Sequence, residues 1–284
     1  MSTSLFISSG ALRAFQQKLD TNANNIANVN TTGFKRRDQS FSELLANQIN
    51  NQPIANKEVG RLTPNGLRVG YGSKTGLTKL NLDQGQALET KNPFDLMING
   101  SGFFQVSYSS ANGGAGETRY TRDGNFHLSP DPNQVGIYNL VNANGGRLLD
   151  QNGNPIRLNE GDDVQIGTNG QILLKNKNGL GEPITSQQRV GLVEIQNPSL
   201  LQNLGGNEYS INATALTAGT NVANYVRNMT PGVSKIASGF LEGSNVDLGQ
   251  EMTDLITSQR GFQMNARAVS YADEMLGIAN NIVK

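Results

Sequence analysis

An apolar residue recurs at every seventh position along the C-terminal stretch of the chain. The positions are Leu248, Leu255, Phe262, Val269, Leu276 and Val283. No proline interrupts residues 247–284. The pattern predicts one helix of about 36 residues, roughly 54 Å long at ~1.5 Å per residue, with a single apolar seam. Asn245 or Asp247 is predicted to cap the start of this helix.

The N-terminal stretch repeats the same heptad spacing at Leu5, Leu12, Leu19 and Ile26. We therefore expect the two ends of the chain to pair as coiled-coil helices. Off the seam, residues 3–30 carry only Arg13, Lys18 and Asp20 as charges and are otherwise rich in Ser, Thr, Gln, Asn and Ala. A solitary surface helix normally has a charged outer face, so this surface favours contact with protein on more than one side. Periodicity alone fits an ordinary helical hairpin between the termini equally well.

Between these ends, short apolar runs alternate with dipeptides that favour tight hairpin turns. The clearest strand-like runs are residues 94–98, 102–107, 117–121, 125–128, 137–141, 171–175 and 189–196. The turn dipeptides are Asn99-Gly100, Asp123-Gly124, Asn144-Gly145, Asn152-Gly153 and Asn169-Gly170. This pattern predicts an all-β domain. The stretches on either side of this domain show neither the helical nor the strand periodicity of apolar residues, and we interpret them as extended connectors. The first connector is expected to contain one or two short strands, and residues 34–45 are expected to form a short amphipathic segment.

The predicted fold class is therefore α+β, with an elongated molecule. Residues 1–35 and 240–284 form a domain of paired terminal helices, residues 36–79 and 213–239 form the connector region, and residues 80–212 form the all-β domain.

Charge and composition exclude several function classes. Lys and Arg total 23 and Asp and Glu total 23, so no basic excess favours nucleic acid. The basic cluster of Lys35, Arg36 and Arg37 is typical of a solvated turn. The absence of cysteine excludes disulfides and thiolate metal sites. The first residues lack the basic region and apolar core of a cleaved signal peptide, and no run of about 18 apolar residues predicts a membrane span.

Catalytic and metal-binding patterns are also missing from the sequence. His127 is the only histidine, and its place in an alternating apolar run indicates a structural or exposed strand residue. Residues 150–161 resemble a calcium loop at their start, but Pro155 and Gly161 stand where that loop needs Gly and Glu. They are interpreted as an Asn-Gly turn. We predict no enzyme activity, no cofactor, no metal site and no small-molecule substrate.

The stretch Ala23-Asn-Asn-Ile-Ala-Asn-Val-Asn-Thr-Thr-Gly-Phe-Lys35 resembles the N-terminal signature of the bacterial flagellar axial family, the rod and hook proteins. The matching residues are Asn24, Asn25, Ile26, Ala27, Asn28, Asn30, Thr31, Gly33 and Phe34. Residues 98–106 with 120–126 are similar to the family's β-domain hallmark, and residues 242–260 are similar to its C-terminal helix. Residues 66–70 resemble the connector of distal-rod members, whereas residues 261–267 depart from the form common among them.

The resemblance implies a structural subunit of the flagellar basal-body rod, at its distal part, that polymerises with itself into a helical tube. It implies type III export without a cleaved signal peptide to a place outside the cytoplasmic membrane. The paired helices are expected to form the inner tube around the export channel, and the rod to transmit torque from motor to hook. Expected partners are further copies, neighbouring rod and hook proteins, ring proteins around the rod and the export apparatus, with no nucleic acid.

Two alternatives stay open at this point. The first is a proximal-rod or hook subunit of the same family. The second, from a different class, is a secreted binding module that carries its β domain on a coiled-coil stalk. That module would explain the seam and the β domain but not the signature at residues 23–35.

Overall fold

The fold is described from a computed structural model of the 284-residue chain. The structure describes residues 2–44, 46–49, 67–108, 117–132, 134–159, 163–175, 184–211, 225–229 and 234–282. The helices are α1 (Ser2–Ala27) and α2 (Leu248–Ile282), with a short 3-10 helix at Pro198–Leu200. The strands are β1 (Arg37–Glu43), β2 (Ala46–Ile49), β3 (Leu67–Gly70), β4 (Ser73–Leu80), β5 (Ala87–Glu89), β6 (Leu96–Asn99), β7 (Phe103–Tyr108), β8 (Glu117–Thr121), β9 (Phe126–Pro130), β10 (Ile137–Asn142), β11 (Arg147–Leu148), β12 (Arg157–Asn159), β13 (Asp163–Ile166), β14 (Gln171–Lys175), β15 (Ile184–Arg189), β16 (Leu192–Ile195), β17 (Leu201–Gly205), β18 (Glu208–Ile211), β19 (Val226–Asn228), β20 (Lys235–Ser238) and β21 (Phe240–Glu242). An N-terminal and a C-terminal helix with many strands between them in the sequence confirm the α+β class.

The chain divides into two compact units. The helical unit comprises Met1–Ala27, Arg37–Lys79 and Asp247–Lys284. The β unit comprises Asn28–Arg36 and Leu80–Val246. The residues interpreted as the first connector are thus grouped with the helices from Arg37 onward, and those interpreted as the second connector are grouped with the β unit.

In the helical unit, α1 and α2 pack against each other in opposite directions. Asn25 near the end of α1 donates from Nδ2 to Glu251 Oε2 near the start of α2, at 3.2 Å. Further along, Gly261 lies against Phe15, and a Cβ at Gly261 would stand 2.7 Å from the Phe15 ring. The helices therefore approach closely where α2 has no side chain.

The start of α2 is capped by Asp247. Its Oδ1 accepts from the backbone N–H groups of Gly249 and Gln250, at 2.8 and 3.2 Å. Of the two predicted caps, Asp247 is therefore the correct one, because Asn245 is bonded elsewhere. With 35 residues against 26 in α1, α2 continues past the end of its partner.

Residues 37–80 contain more regular structure than the sequence indicated. Strand β1 pairs with β4, and β2 pairs with β3 in antiparallel register. Strand β1 occupies most of residues 34–45, which the sequence indicated as a short amphipathic segment. Phe41 of β1 packs on Phe15 of α1, with ring centroids 5.3 Å apart. Residues 50–66 lie outside the described part of the chain.

The β unit is built around strand β7. Its sheet runs in the order β12-β10-β11-β7-β8-β18-β17, with β16 also pairing with β7. Successive strand residues point to opposite faces, and the adjacent residues Phe103 and Phe104 enter two separate cores. Phe104 meets Phe126 edge-on at 5.4 Å, and Phe103 meets Tyr209 at 6.0 Å. The sheet is therefore covered on both faces near β7.

Candidate functional site

A polar cluster centred on Asn25 joins three elements of the helical unit. The Asn25 amide donates to the Arg37 carbonyl at 3.0 Å and accepts from the Arg37 N–H at 3.1 Å. This reciprocal pair imitates a strand bridge and fixes the start of β1 beside the end of α1. The same amide bonds Glu251 on α2, where a carboxylate in the first turn also suits the helix dipole. Asn25 is 1% exposed, and its hydrogen bonds connect α1, β1 and α2.

Small and polar residues occupy the centre of the α1–α2 contact. The fully buried positions are Ala14, Asn22 and Asn25 on α1 and Glu251, Ser258 and Gly261 on α2. The predicted seam residues flank this line. Leu5, Leu12, Leu19, Ile26, Leu255, Phe262 and Val269 are half-buried, whereas Leu248 and Leu276 are exposed and Val283 lies outside the described residues.

A second set of apolar residues lies along α2 and is exposed, interleaved with the charged residues Arg260, Arg267 and Glu274. We call it the outer stripe, formed by Met252, Ile256, Met264, Tyr271, Met275 and Ile278. At about 100° per residue these positions fall within an arc of roughly 140°, opposite the side that packs on α1. Their exposed fractions are 50, 49, 66, 65, 62 and 60%. The sequence prediction placed the apolar seam on α2 but missed this second stripe.

In the β unit, Glu242 is the centre of a buried ionic cluster. Its Oε1 lies 2.6 Å from Lys35 Nζ, and its Oε2 lies 3.2 Å from Arg122 Nη1. The side chains of Lys35 and Glu242 are fully buried. Two further donors of the cluster bond backbone oxygens, because Lys35 Nζ donates to the Asp83 carbonyl and Arg122 Nη2 donates to the Gly100 carbonyl, whereas the buried Arg122 Nε has no hydrogen-bond partner. One carboxylate thus compensates two buried cations.

The burial of Lys35 corrects the sequence interpretation of residues 35–37 as a solvated turn. Lys35 is fully buried and Arg36 and Arg37 are half-buried. Burial lowers the pKa of the Lys35 ammonium group, and the nearby Glu242 carboxylate acts in the opposite direction. No local sequence pattern reveals this pairing, since Lys35 and Glu242 are distant in the chain.

Backbone contacts reinforce this cluster. The Gly33 N–H donates to the Glu242 carbonyl at 2.7 Å. Asn245 accepts from the Arg36 N–H at 2.8 Å and donates to the carbonyls of Asn81 and Asp83, each at 3.0 Å. Three chain segments, at residues 33–36, 81–85 and 242–245, are therefore bonded together.

The remaining signature residues lie in the last turn of α1 and in the turn that follows it. Asn28 and Thr31 bond each other through side chains at 3.1 Å, Gly33 and Phe34 are buried, and Asn24, Ala27 and Asn30 are exposed. Gly33 has a φ of +68°. This agrees with the left-handed conformation expected after the helix end.

Glu208, the first residue of β18, is the centre of a second buried cluster. Its carboxylate accepts from Arg119 at 3.0 Å, from Asn142 at 2.7 Å, from Asn144 at 3.0 Å and from the Tyr108 hydroxyl. Burial by itself raises the pKa of Glu208, but these hydrogen bonds outweigh it, so the pKa lies below its usual value of 4.5. The cluster ties together β7, β8, β18 and the turn after β10.

The low pKa of Glu208 predicts a defined dependence of stability on pH. A carboxyl group with a lowered folded-state pKa stabilises the fold above its unfolded pKa, and this contribution is lost as pH falls through the folded pKa. We expect the free energy of unfolding to decline below about pH 4.5. Glu208→Gln should lower stability at neutral pH by about 1.5–3 kcal/mol and flatten this decline. Urea unfolding between about pH 7 and pH 3 measures both, and an unchanged decline in the variant would contradict the assignment.

The residues that the sequence analysis considered for chemistry have structural positions in the described part of the chain. His127 is exposed on β9, opposite Val141 of β10. Asp150 Oδ1 accepts from the N–H groups of Asn152 and Asn154, each at 2.8 Å, which confirms the turn interpretation of this loop. Among the described residues, no group of three or more His, Asp or Glu side chains is placed to hold a metal ion. No helix of the described residues is both long and apolar enough to cross a membrane.

Three protein-family models match the chain in the expected order. The model described as "Flagella basal body rod protein" matches residues 5–35. The model "Flagellar hook protein FlgE/F/G D1 domain" matches residues 97–174, and "Flagellar basal body rod FlgEFG protein C-terminal" matches residues 237–282. The matches cover α1 with its following turn, the centre of the β unit and α2.

Full-length relatives agree with the family models. The flagellar hook-basal body complex protein FlhP of Bacillus subtilis is 34% identical, over 99% of this chain and 100% of the relative. The flagellar basal-body rod protein FlgG of Bacillus subtilis is 32% identical, over 97% of each chain. FlgG of Agrobacterium fabrum is 31% identical, over 99% of each chain. The chain therefore belongs to the flagellar rod and hook protein family, whose members are structural proteins and not enzymes.

Proposed function

We propose that this protein is a structural subunit of the distal flagellar rod that polymerises with further copies of itself into a helical tube. The observation that carries the proposal is the outer stripe of α2, a row of six large exposed apolar side chains opposite the α1 contact in a chain of this family. Such a surface marks a site of contact with another protein.

The helix pair has more apolar surface than it buries. All six residues of the outer stripe are about half exposed or more, and α2 extends past α1, where Leu276 is 40% exposed. Complete burial of an exposed side chain of this kind gains about 1.5–3 kcal/mol, and about half of that gain remains for residues that are already half buried. Copies of the same helix pair around one axis would bury the stripe on every subunit.

In the assembled state we expect α1 and α2 to form coiled-coil contacts with neighbouring subunits and to surround the export channel. The seam residues that flank the α1–α2 contact would then be buried from both sides. The β unit, with its own two cores, would form an outer layer. Such a tube transmits torque from motor to hook without any chemical step.

The proposed location is the flagellar basal body, outside the cytoplasmic membrane, after export through the flagellar type III apparatus without a cleaved signal peptide. Proposed partners are adjacent rod and hook proteins and the rings around the rod. The names of the FlgG relatives favour a rod subunit over a hook subunit. The family assignment removes the support for a secreted binding module on a stalk.

The proposal predicts that added lysines in the outer stripe weaken polymerisation. Ile256→Lys with Ile278→Lys places two ammonium groups in the stripe. Ile256 and Ile278 are about half exposed in the free chain, so losing their further burial costs about 1.5–3 kcal/mol and should raise the critical concentration at least about tenfold. Sedimentation and electron microscopy of the purified full chain measure this.

The matched control is Gln259→Lys, at an exposed position of α2 outside the stripe. It adds one ammonium group to the same helix, against two in the double variant, and should polymerise like the wild type. Circular dichroism and urea unfolding of each variant confirm that the monomer is folded. The proposal fails if the wild-type protein forms no polymer, or if the double variant and the control polymerise equally.

A further inference from the structure

The methionines of this chain fall into two groups with opposite exposure. Met252, Met264 and Met275 stand in the outer stripe of α2 and are 50, 66 and 62% exposed. Met97 and Met229 of the β unit are 5 and 8% exposed. Met1, the sixth, lies outside the described residues. Half of the methionines are therefore concentrated on one face of one helix.

We propose that Met252, Met264 and Met275 form a reversible oxidation site that controls whether the free subunit can assemble. This inference rests on the proposed function, because it requires the outer stripe to be the surface that copies of the chain bury. It adds a modification chemistry that the assembly proposal does not contain.

The reaction is the oxidation of a thioether by hydrogen peroxide. The methionine sulfur attacks one peroxide oxygen, an S–O bond forms and the O–O bond breaks. The sulfur loses two electrons and becomes a sulfoxide, while the peroxide is reduced to water. Methionine sulfoxide reductases reverse the step, so the modification can act as a switch and not only as damage.

The position of the three sulfur atoms determines the effect on assembly. Spacings of 12 and 11 residues, about three helical turns each, place one methionine in each third of the outer stripe. A sulfoxide is polar, and burying it among apolar side chains without a hydrogen-bond donor opposes association. A neighbouring subunit that covers the outer stripe would therefore bury at least one methionine sulfoxide.

Exposure determines when the reaction occurs. Oxidation follows the solvent access of the sulfur, and the three stripe methionines are open in the free chain. Burial between subunits would protect them after assembly. Met97 and Met229 are buried within the β unit itself and should be protected in both states. The site is thus sensitive only before the subunit joins the polymer.

The experiment treats the purified full chain with hydrogen peroxide before or after polymerisation. Peptide mass spectrometry locates the added oxygen atoms, and sedimentation gives the critical concentration. Free subunits should gain oxygen at the three stripe methionines and not at Met97 or Met229. Their critical concentration should rise at least about tenfold, equivalent to about 1.4 kcal/mol, and reductase treatment should restore it. Polymers treated in the same way should remain unmodified at the stripe.

The matched variant is Met252→Leu/Met264→Leu/Met275→Leu, which keeps the stripe apolar and retains the other methionines. Peroxide should not change its critical concentration. The inference is overturned if oxidised wild-type subunits assemble like untreated ones, or if peroxide inhibits the leucine variant equally. Failure of the untreated wild type to polymerise would instead overturn the proposed function, and this inference with it.

Discussion

Replacing Glu242 with Gln should destabilise the β unit by about 3–5 kcal/mol, the usual cost of removing one partner from a buried ion pair. The substitution keeps the shape of the side chain but removes the charge that lies between Lys35 and Arg122. Neither cation can reach water, because the side chains of Lys35 and Arg122 are 0 and 3% exposed. Urea unfolding followed by tyrosine fluorescence measures the loss.

The size of this effect follows from the imbalance of the cluster. With Glu242 neutral, two cations remain in a region of low dielectric with only backbone carbonyls as partners. Burial already lowers the pKa of Lys35, so Lys35 can respond by losing its proton. The free energy of that deprotonation then lowers the free energy of unfolding. The Gln amide would also direct a donor toward one of the two cations.

Glu117→Gln is the matched control for this prediction. Glu117 pairs with Arg119 at 2.9 Å, but its side chain is 55% exposed. The same chemical change should cost less than about 1 kcal/mol there, because water screens the pair and replaces its hydrogen bonds. Equal losses for Glu117→Gln and Glu242→Gln would show that the buried cluster has no special role in stability.

The periodicity of the sequence predicted the helices and many strands well. Heptad spacing placed α2 within one residue of its observed start, and Asp247 was one of two predicted caps. Strands β8 and β14 have the predicted bounds. These successes have a local cause, since a repeated apolar position or a cap within one turn is visible in neighbouring residues.

The centre of the helix contact was not predicted, for a physical reason. Heptad analysis follows large apolar side chains, whereas Gly261 of α2 lies directly against Phe15 and Ser258 is buried. Large residues such as Leu255 then lie beside the contact line. A glycine or serine allows two backbones to approach, but on sequence grounds it resembles an exposed polar position.

The buried ions were missed because their partners are distant in the chain. Lys35 follows a turn signature and precedes two arginines, so its neighbours indicate a solvated site. Only the fold brings Glu242 within 2.6 Å of it. The turn dipeptides show a similar limit. Gly124 is required by the approach of the Leu96 carbonyl, which would lie 1.6 Å from an added Cβ, and not by a positive φ.

Gly33 has one property that the sequence predicts and one that only the folded structure shows. Its left-handed conformation was predictable from the turn that follows α1, but its close contact was not. An added Cβ would stand 2.5 Å from the Asp123 nitrogen and 2.6 Å from the Asp123 Cα, and both are backbone atoms that cannot rotate away. The signature glycine therefore answers two separate requirements, one of conformation and one of space.

Gly33→Ala should consequently destabilise the β unit by about 2–5 kcal/mol, from about 1–2 kcal/mol for the left-handed conformation and about 1–3 kcal/mol for the overlap. Gly145→Ala is the matched control, since Gly145 has a φ of +82° with no atom within 4 Å of an added Cβ. It should cost only about 1–2 kcal/mol. Urea unfolding of both variants isolates the contribution of the Asp123 contact as their difference. Equal losses would mean that the turn requires only the backbone conformation and that Asp123 moves aside without cost.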